Sequence, residues 1–193
     1  MNTAIAEKEP KLLPGDLAIW FFIFMELFVF FVAFISYAVM RSKNVEMFNE
    51  YQLTLNTELG AANTILLITS SYFVVRAIHA IKLDDTKACA FWLYSALAGG
   101  AGFLILKSFE YYDKFSHGIN LETNTFYFFY LSLTMFHFLH VILGMIILLF
   151  IAIKVQRGGY GAKNHVGIES GASYWHMVDL VWIILFPLVY IIR

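Results

Sequence analysis

Glu26, His137, His140, His176 and Asp179 are ionisable residues set inside long apolar runs. An ionisable group in hydrocarbon is costly, so a segment that keeps one either uses it or satisfies it through a neighbour. Glu26 lies within Phe21-Phe-Ile-Phe-Met-Glu-Leu-Phe-Val-Phe-Phe31, nine residues past Leu17. At about 1.5 Å per residue it is about 14 Å deep, near the middle of a bilayer. Burial there disfavours the charged form and leaves the acid protonated or hydrogen-bonded. Two roles fit it equally: a neutral structural acid bonded to a neighbouring helix, or a proton-relay group.

Tyr130, Thr134, His137, His140 and Gly144 follow one another at spacings of four, three, three and four, which places them on one helical face. Such a stripe must face protein, because lipid offers polar groups no partners. Two imidazoles at i, i+3 also present two nitrogens to a metal or haem. Only Glu26, His176 and Asp179 are available to complete such a site, and no repeated Glu-x-x-His pattern is present. Hydrogen bonding between helices is the preferred reading, and no metal is expected. His176 and Asp179, also three apart, share a helical face where an acid beside an imidazole lowers the cost of both. Pro187, further along, frees the carbonyl of Ile183, which a neighbour must satisfy. Asn63 and Ser70, at i, i+7, read as contacts between helices. Arg76 and His79 read as interfacial anchors that contact lipid headgroups. Lys107, Glu110 and Asp113 are expected to form a short ion-pair network near water, worth little in stability.

These residues require long apolar helices to carry them. The 193-residue chain is 60% hydrophobic and 14% charged, with a mean hydropathy of +0.70. A soluble domain would carry about a quarter charged residues, so the composition points to an integral membrane protein. The net charge of −1 gives no sign of nucleic-acid binding, and a lone Cys89 excludes a disulfide framework or thiolate metal site. Residues 1–16 do not read as a signal peptide and are expected to form a cytoplasmic N-terminal segment. Five stretches are long enough to span a bilayer: about 17–40, 59–79, 88–108, 126–153 and 173–192. Together, 17–193 read as one all-α domain, a bundle of five transmembrane helices. Lys8, Lys11, Arg76, Lys82, Lys87, Lys154, Arg157 and Lys163 lie on the N-terminal side, against Arg41, Lys43, Lys107, Lys114 and Arg193 opposite. That bias places the N-terminus inside and the C-terminus outside. In the third span, Ala96/Gly100 and Ala98/Gly102 have the spacing that lets helix backbones approach closely.

Four stretches carry a resemblance. They are Trp20-Phe-Phe-Ile-Phe-Met-Glu26-Leu-Phe-Val-Phe-Phe, Asn63-Thr-Ile-Leu-Leu-Ile-Thr-Ser-Ser71, Leu133-Thr-Met-Phe-His137-Phe-Leu-His140-Val-Ile-Leu-Gly144 and Tyr174-Trp-His176-Met-Val-Asp179-Leu-Val-Trp182. In this order they resemble subunit III of the haem-copper respiratory oxidases, in its five-span branch. Leu13-Pro-Gly-Asp16, Gly167-Ile-Glu-Ser-Gly171 and Leu185-Phe-Pro187 look most like the subunit-III-like proteins associated with nitric oxide reductases.

The resemblance implies a non-catalytic subunit with no cofactor of its own, haem and copper being carried by partner subunits. It implies packing against catalytic subunit I, bound phospholipid, and support of proton uptake and of the durability of the catalytic centre. Glu26 matches the family's carbodiimide-reactive membrane carboxylate, and His137, His140, His176 and Asp179 match recurrent polar positions. Phe138 departs from the family, where a Gly is common, and is expected to alter local helix contact. The family's lipid cleft is formed partly by two further helices, so no lipid ligands are carried over. The alternatives are an accessory protein of a nitric oxide reductase and, more distantly, a stand-alone proton or ion transporter, although inverted repeats and paired broken helices are absent. A di-His redox enzyme would show haem or metal in the isolated chain.

Overall fold

The computed structural model describes residues 14–192, so Lys8, Lys11, Leu13 and Arg193 lie outside the described residues. Its helices are α1 Leu17–Lys43, α2 Val45–Gln52, α3 Thr57–Lys82, α4 Thr86–Ser116, α5 Thr125–Gln156 and α6 Val166–Phe186. The last widens into a π-helical turn, Pro187–Ile191, where the proline cannot continue the α-helical hydrogen-bond ladder. Five of the helices are long and apolar enough to cross a membrane, and α2 is a short amphipathic helix between the first two.

Local chemistry sets the ends. Asp16, Asn56, Asp85 and Asn124 cap four of the long helices, each side chain accepting from a backbone N–H in the first turn at 2.9–3.2 Å. Arg41, Lys82, Lys114 and Lys154 stand in the last turns of α1, α3, α4 and α5, where a cation meets the partial negative charge of the helix end. Gly118 and Gly158, at φ +77° and +72°, reverse the chain after α4 and α5 in a conformation that a Cβ disfavours.

α4 packs along both α3 and α5, while α6 lies against α1, α3 and α5. α1 is the outlying helix, attached chiefly to α6 and α5, and exposes Phe21, Phe24, Met25, Phe28 and Phe31. An apolar face of this kind is no liability in hydrocarbon. Contact inside the bundle comes from close packing and bonds between helices, because lipid supplies no hydrophobic drive to associate. At Gly99 a Cβ would lie 2.9 Å from Ser70 Cβ and 3.3 Å from the Leu66 carbonyl oxygen. The glycine therefore lets α4 close on α3, and Ser70 Oγ donates to the Ala96 carbonyl at 2.7 Å. Gly100 and Gly144 form a slot for the buried Trp175, with a Cβ at either meeting its ring at 2.9 and 2.8 Å. Of the small residues expected at this contact, Ala98 instead faces outward.

The expected boundaries needed correction at two helices. α4 continues eight residues past 108, and α6 begins seven residues before 173. Asp16 N–H donates to Ser170 Oγ at 2.9 Å, so the starts of α1 and α6 are tied at one membrane surface.

Candidate functional site

Glu26 on α1 meets His140 on α5, with Glu26 Oε2 and His140 Nε2 2.9 Å apart. The two side chains are 20% and 9% exposed, and the rings of Phe30 and Phe136 pack against the imidazole at 5.2 and 4.5 Å. His140 Nδ1 lies 2.7 Å from the Phe136 carbonyl oxygen. A carbonyl only accepts, so Nδ1 carries a hydrogen. Nε2 and Oε2 must then hold a second proton between them, since two bare lone pairs would repel at this distance. The pair is a carboxylic acid with imidazole, or a carboxylate with imidazolium, and the proton needs only to move along one hydrogen bond to exchange these forms.

His137, one turn before His140, takes a different direction. The angular step of an i, i+3 pair carries its ring into the bundle, 5.2 Å from Trp182 and 5.6 Å from Phe103. It is fully buried, and neither nitrogen has a hydrogen-bond partner among the described residues. The expectation of an interhelical bond is thus corrected for His137. Asn63 also needs correction: it is fully buried with neither side-chain atom bonded, while its neighbour Thr64 accepts from Trp182 Nε1 at 2.9 Å. Tyr130, Thr134, His137, His140 and Gly144 all face inward as one buried stripe. No three His, Cys, Asp or Glu among the described residues group closely enough to hold a metal ion.

The polar centre that the sequence pattern understated surrounds Lys107. Lys107 is 0% exposed and Glu110 4%, whereas both were expected near water. Lys107 Nζ donates to Glu110 Oε2 at 3.0 Å, to Tyr190 OH, and to Tyr130 OH at 3.4 Å. Both tyrosine hydroxyls donate to Glu110 Oε1, at 2.6 and 2.7 Å. The rings of Tyr111, Tyr130, Tyr190 and Trp182 surround the ammonium at 5.0–5.6 Å, so cation–π attraction adds to the ion pair. The cluster joins α4, α5 and the C-terminal π turn. Asp113 is outside it, 3.6 Å from His117 on the surface. The cause is the length of α4, which carries Lys107 well inside the bundle. A readable signal existed in the i, i+3 pair opposite Tyr130.

His176 and Asp179 lie 3.4 Å apart on α6, and Ser71 of α3 reaches the same nitrogen, His176 Nδ1, more closely. Arg76 is exposed on α3, 4.8 Å over the Trp92 ring and donating to Tyr72 OH at 3.0 Å, while His79 is exposed beside it. Phe138 stacks edge-on to Tyr111 of α4 at 5.8 Å.

The stretches that form these pairs lie within residues 15–193, which match the family model described as cytochrome c oxidase subunit III. The chain belongs to the cytochrome c oxidase subunit III family. It is 34% identical over 172 residues to cytochrome c oxidase subunit 3 of Thermostichus vulcanus, covering 89% of this chain and 84% of that protein. The corresponding protein of Synechocystis sp. is also 34% identical, covering 89% and 72% of the two chains. A probable cytochrome c oxidase subunit 3 from Nocardia farcinica is 28% identical and covers 95% and 90%. With five apolar helices, this subunit III family member is a multi-pass membrane protein.

Proposed function

We propose that the chain serves as the non-catalytic third subunit of a haem-copper respiratory oxidase of the cytochrome c oxidase type, in a bacterial inner membrane. Its partners are the haem-copper catalytic subunit I and other oxidase subunits, which carry the haem and copper. It has no redox centre of its own. Its role is to support assembly and stability of the catalytic subunit and its proton uptake.

The observation that supports this reading is the 2.9 Å Glu26–His140 contact in a chain of this family, a geometry along which a proton can pass. The N-terminus faces the inside. Lys107 is withdrawn into the bundle, which reduces the cations in the opposite loops and reinforces the positive-inside bias. Arg76 and His79, exposed at the same membrane surface as the start of α1, take phospholipid headgroups. An oxygen-reducing partner is preferred over a nitric oxide reductase because the relatives described above bear the cytochrome c oxidase name.

Glu26→Gln is the test. The amide still donates a hydrogen bond to His140 Nε2 but has no proton to relay. Normal assembly, altered carbodiimide labelling and at most a partial fall in turnover or its persistence are expected. Loss of haem incorporation in this variant would make Glu26 a structural group and remove the proton-linked role.

A further inference from the structure

Glu26 lies ten residues past Asp16 and Asp179 nine past Ser170. The Asp16–Ser170 bond aligns those starting points, so both acids stand about 14 Å up neighbouring helices, at one level in the membrane. Their surroundings differ. Glu26 and His140 satisfy each other, and His140 is additionally bonded to Phe136. At the α3–α6 seam, Ser71 and Asp179 share one nitrogen of His176, and Asp179 makes only the 3.4 Å contact. His176 Nε2 has no partner among the described residues, although its side chain is 37% exposed and that of Asp179 12%. A carboxylate offers about four acceptor positions, so this one is far from satisfied. By contrast, the outward hydroxyls of Ser36, Ser95 and Ser108 each donate to a carbonyl of their own helix.

We propose that the α3–α6 seam is the docking face for a transmembrane helix of the haem-bearing subunit, which presents a cationic or hydrogen-bond-donating side chain to Asp179 and His176. The inference rests on the reading of the chain as an oxidase subunit. Acyl chains have nothing to give this site, and polar side chains at membrane depth face protein or a water-filled cavity. Around it, Ile68, Val75, Leu180 and Ile183 expose short aliphatic groups against which a helix packs. The exposed face of α1, by contrast, bears bulky Phe21, Phe24 and Phe28, which suit lipid.

The test uses the complete complex in native membranes, with a benzophenone amino acid at Ile68 or Leu180 on the seam, and at Phe28 or Phe150 elsewhere. The expected result is cross-linking to the haem-bearing chain from both seam positions, at least tenfold above the other two. Asp179→Leu, which lipid and helix both tolerate, should weaken co-purification with that chain about tenfold, as loss of one charge-assisted bond implies. Cross-links to the haem-bearing chain from Phe28 or Phe150 but not from the seam overturn the docking face and leave the subunit reading intact. Seam cross-links to lipid alone, or to a second copy, also overturn it. Absence of a haem-bearing chain from every cross-link and from the purified material overturns both.

Discussion

Replacing Lys107 with Met takes the cation out of a cluster that is closed to water and keeps the volume of the side chain. Glu110 would retain the hydroxyls of Tyr130 and Tyr190 but lose a 3.0 Å ion pair, and the four rings around the ammonium would lose their cation. Removing one partner from a buried pair costs about 3–5 kcal/mol, because an uncompensated charge is left behind, whereas removing both charges together is often nearly neutral. Lys107→Met should therefore lose about 3 kcal/mol, and Lys107→Met combined with Glu110→Gln should recover to within about 1 kcal/mol of the parent. Reversible unfolding in mixed micelles with increasing SDS reads this difference. Tryptophan fluorescence is a local reporter, since the Trp182 ring is 5.6 Å from Lys107 Nζ. Losses that simply add in the double variant, or a single variant that costs under about 1 kcal/mol, would refute a buried, mutually dependent pair.

Other substitutions probe the packing. Gly99→Val would set a branched side chain against Ser70 and the Leu66 backbone, and should cost about 2–3 kcal/mol in the same unfolding assay, with the Ser70–Ala96 bond broken. Ser70→Ala alone should cost about 0.6 kcal/mol, the average of hydrogen bonds between membrane helices. His137→Phe should leave stability unchanged or raise it by about 1 kcal/mol, since it removes two unpartnered ring nitrogens while keeping an aromatic ring beside Trp182. A fall of the same size would mean that His137 is bonded in the membrane. Gly118→Ala should cost about 1 kcal/mol through its backbone conformation alone, because nothing lies within 4 Å of the added carbon.

The five long helices were legible because a bilayer demands about 20 apolar residues in succession. Their ends were less so. Val166–Ala172 includes Gly167, Glu169, Ser170 and Gly171, a stretch too polar to count as membrane, yet it forms the first two turns of α6. Lys107 marked an apparent end of α4 because a lysine usually does, and only the three-dimensional cage of tyrosines shows why it is tolerated inside. α2 escaped notice because eight residues with two glutamates resemble a loop. At the site, spacing identified the inward stripe of α5 but not which imidazole meets which acid. That depends on how α1 leans on α5, and it sends His140 to Glu26 while turning His137 towards Trp182.

Affinity purification of this chain from native membranes in a mild detergent, followed by native mass spectrometry and an absorption spectrum, tests the central claim most directly. The expected product is a stoichiometric assembly with a larger haem-bearing subunit, all colour residing in that partner and none in this chain after separation. A functional, coloured monomer that binds no companion polypeptide would contradict the account.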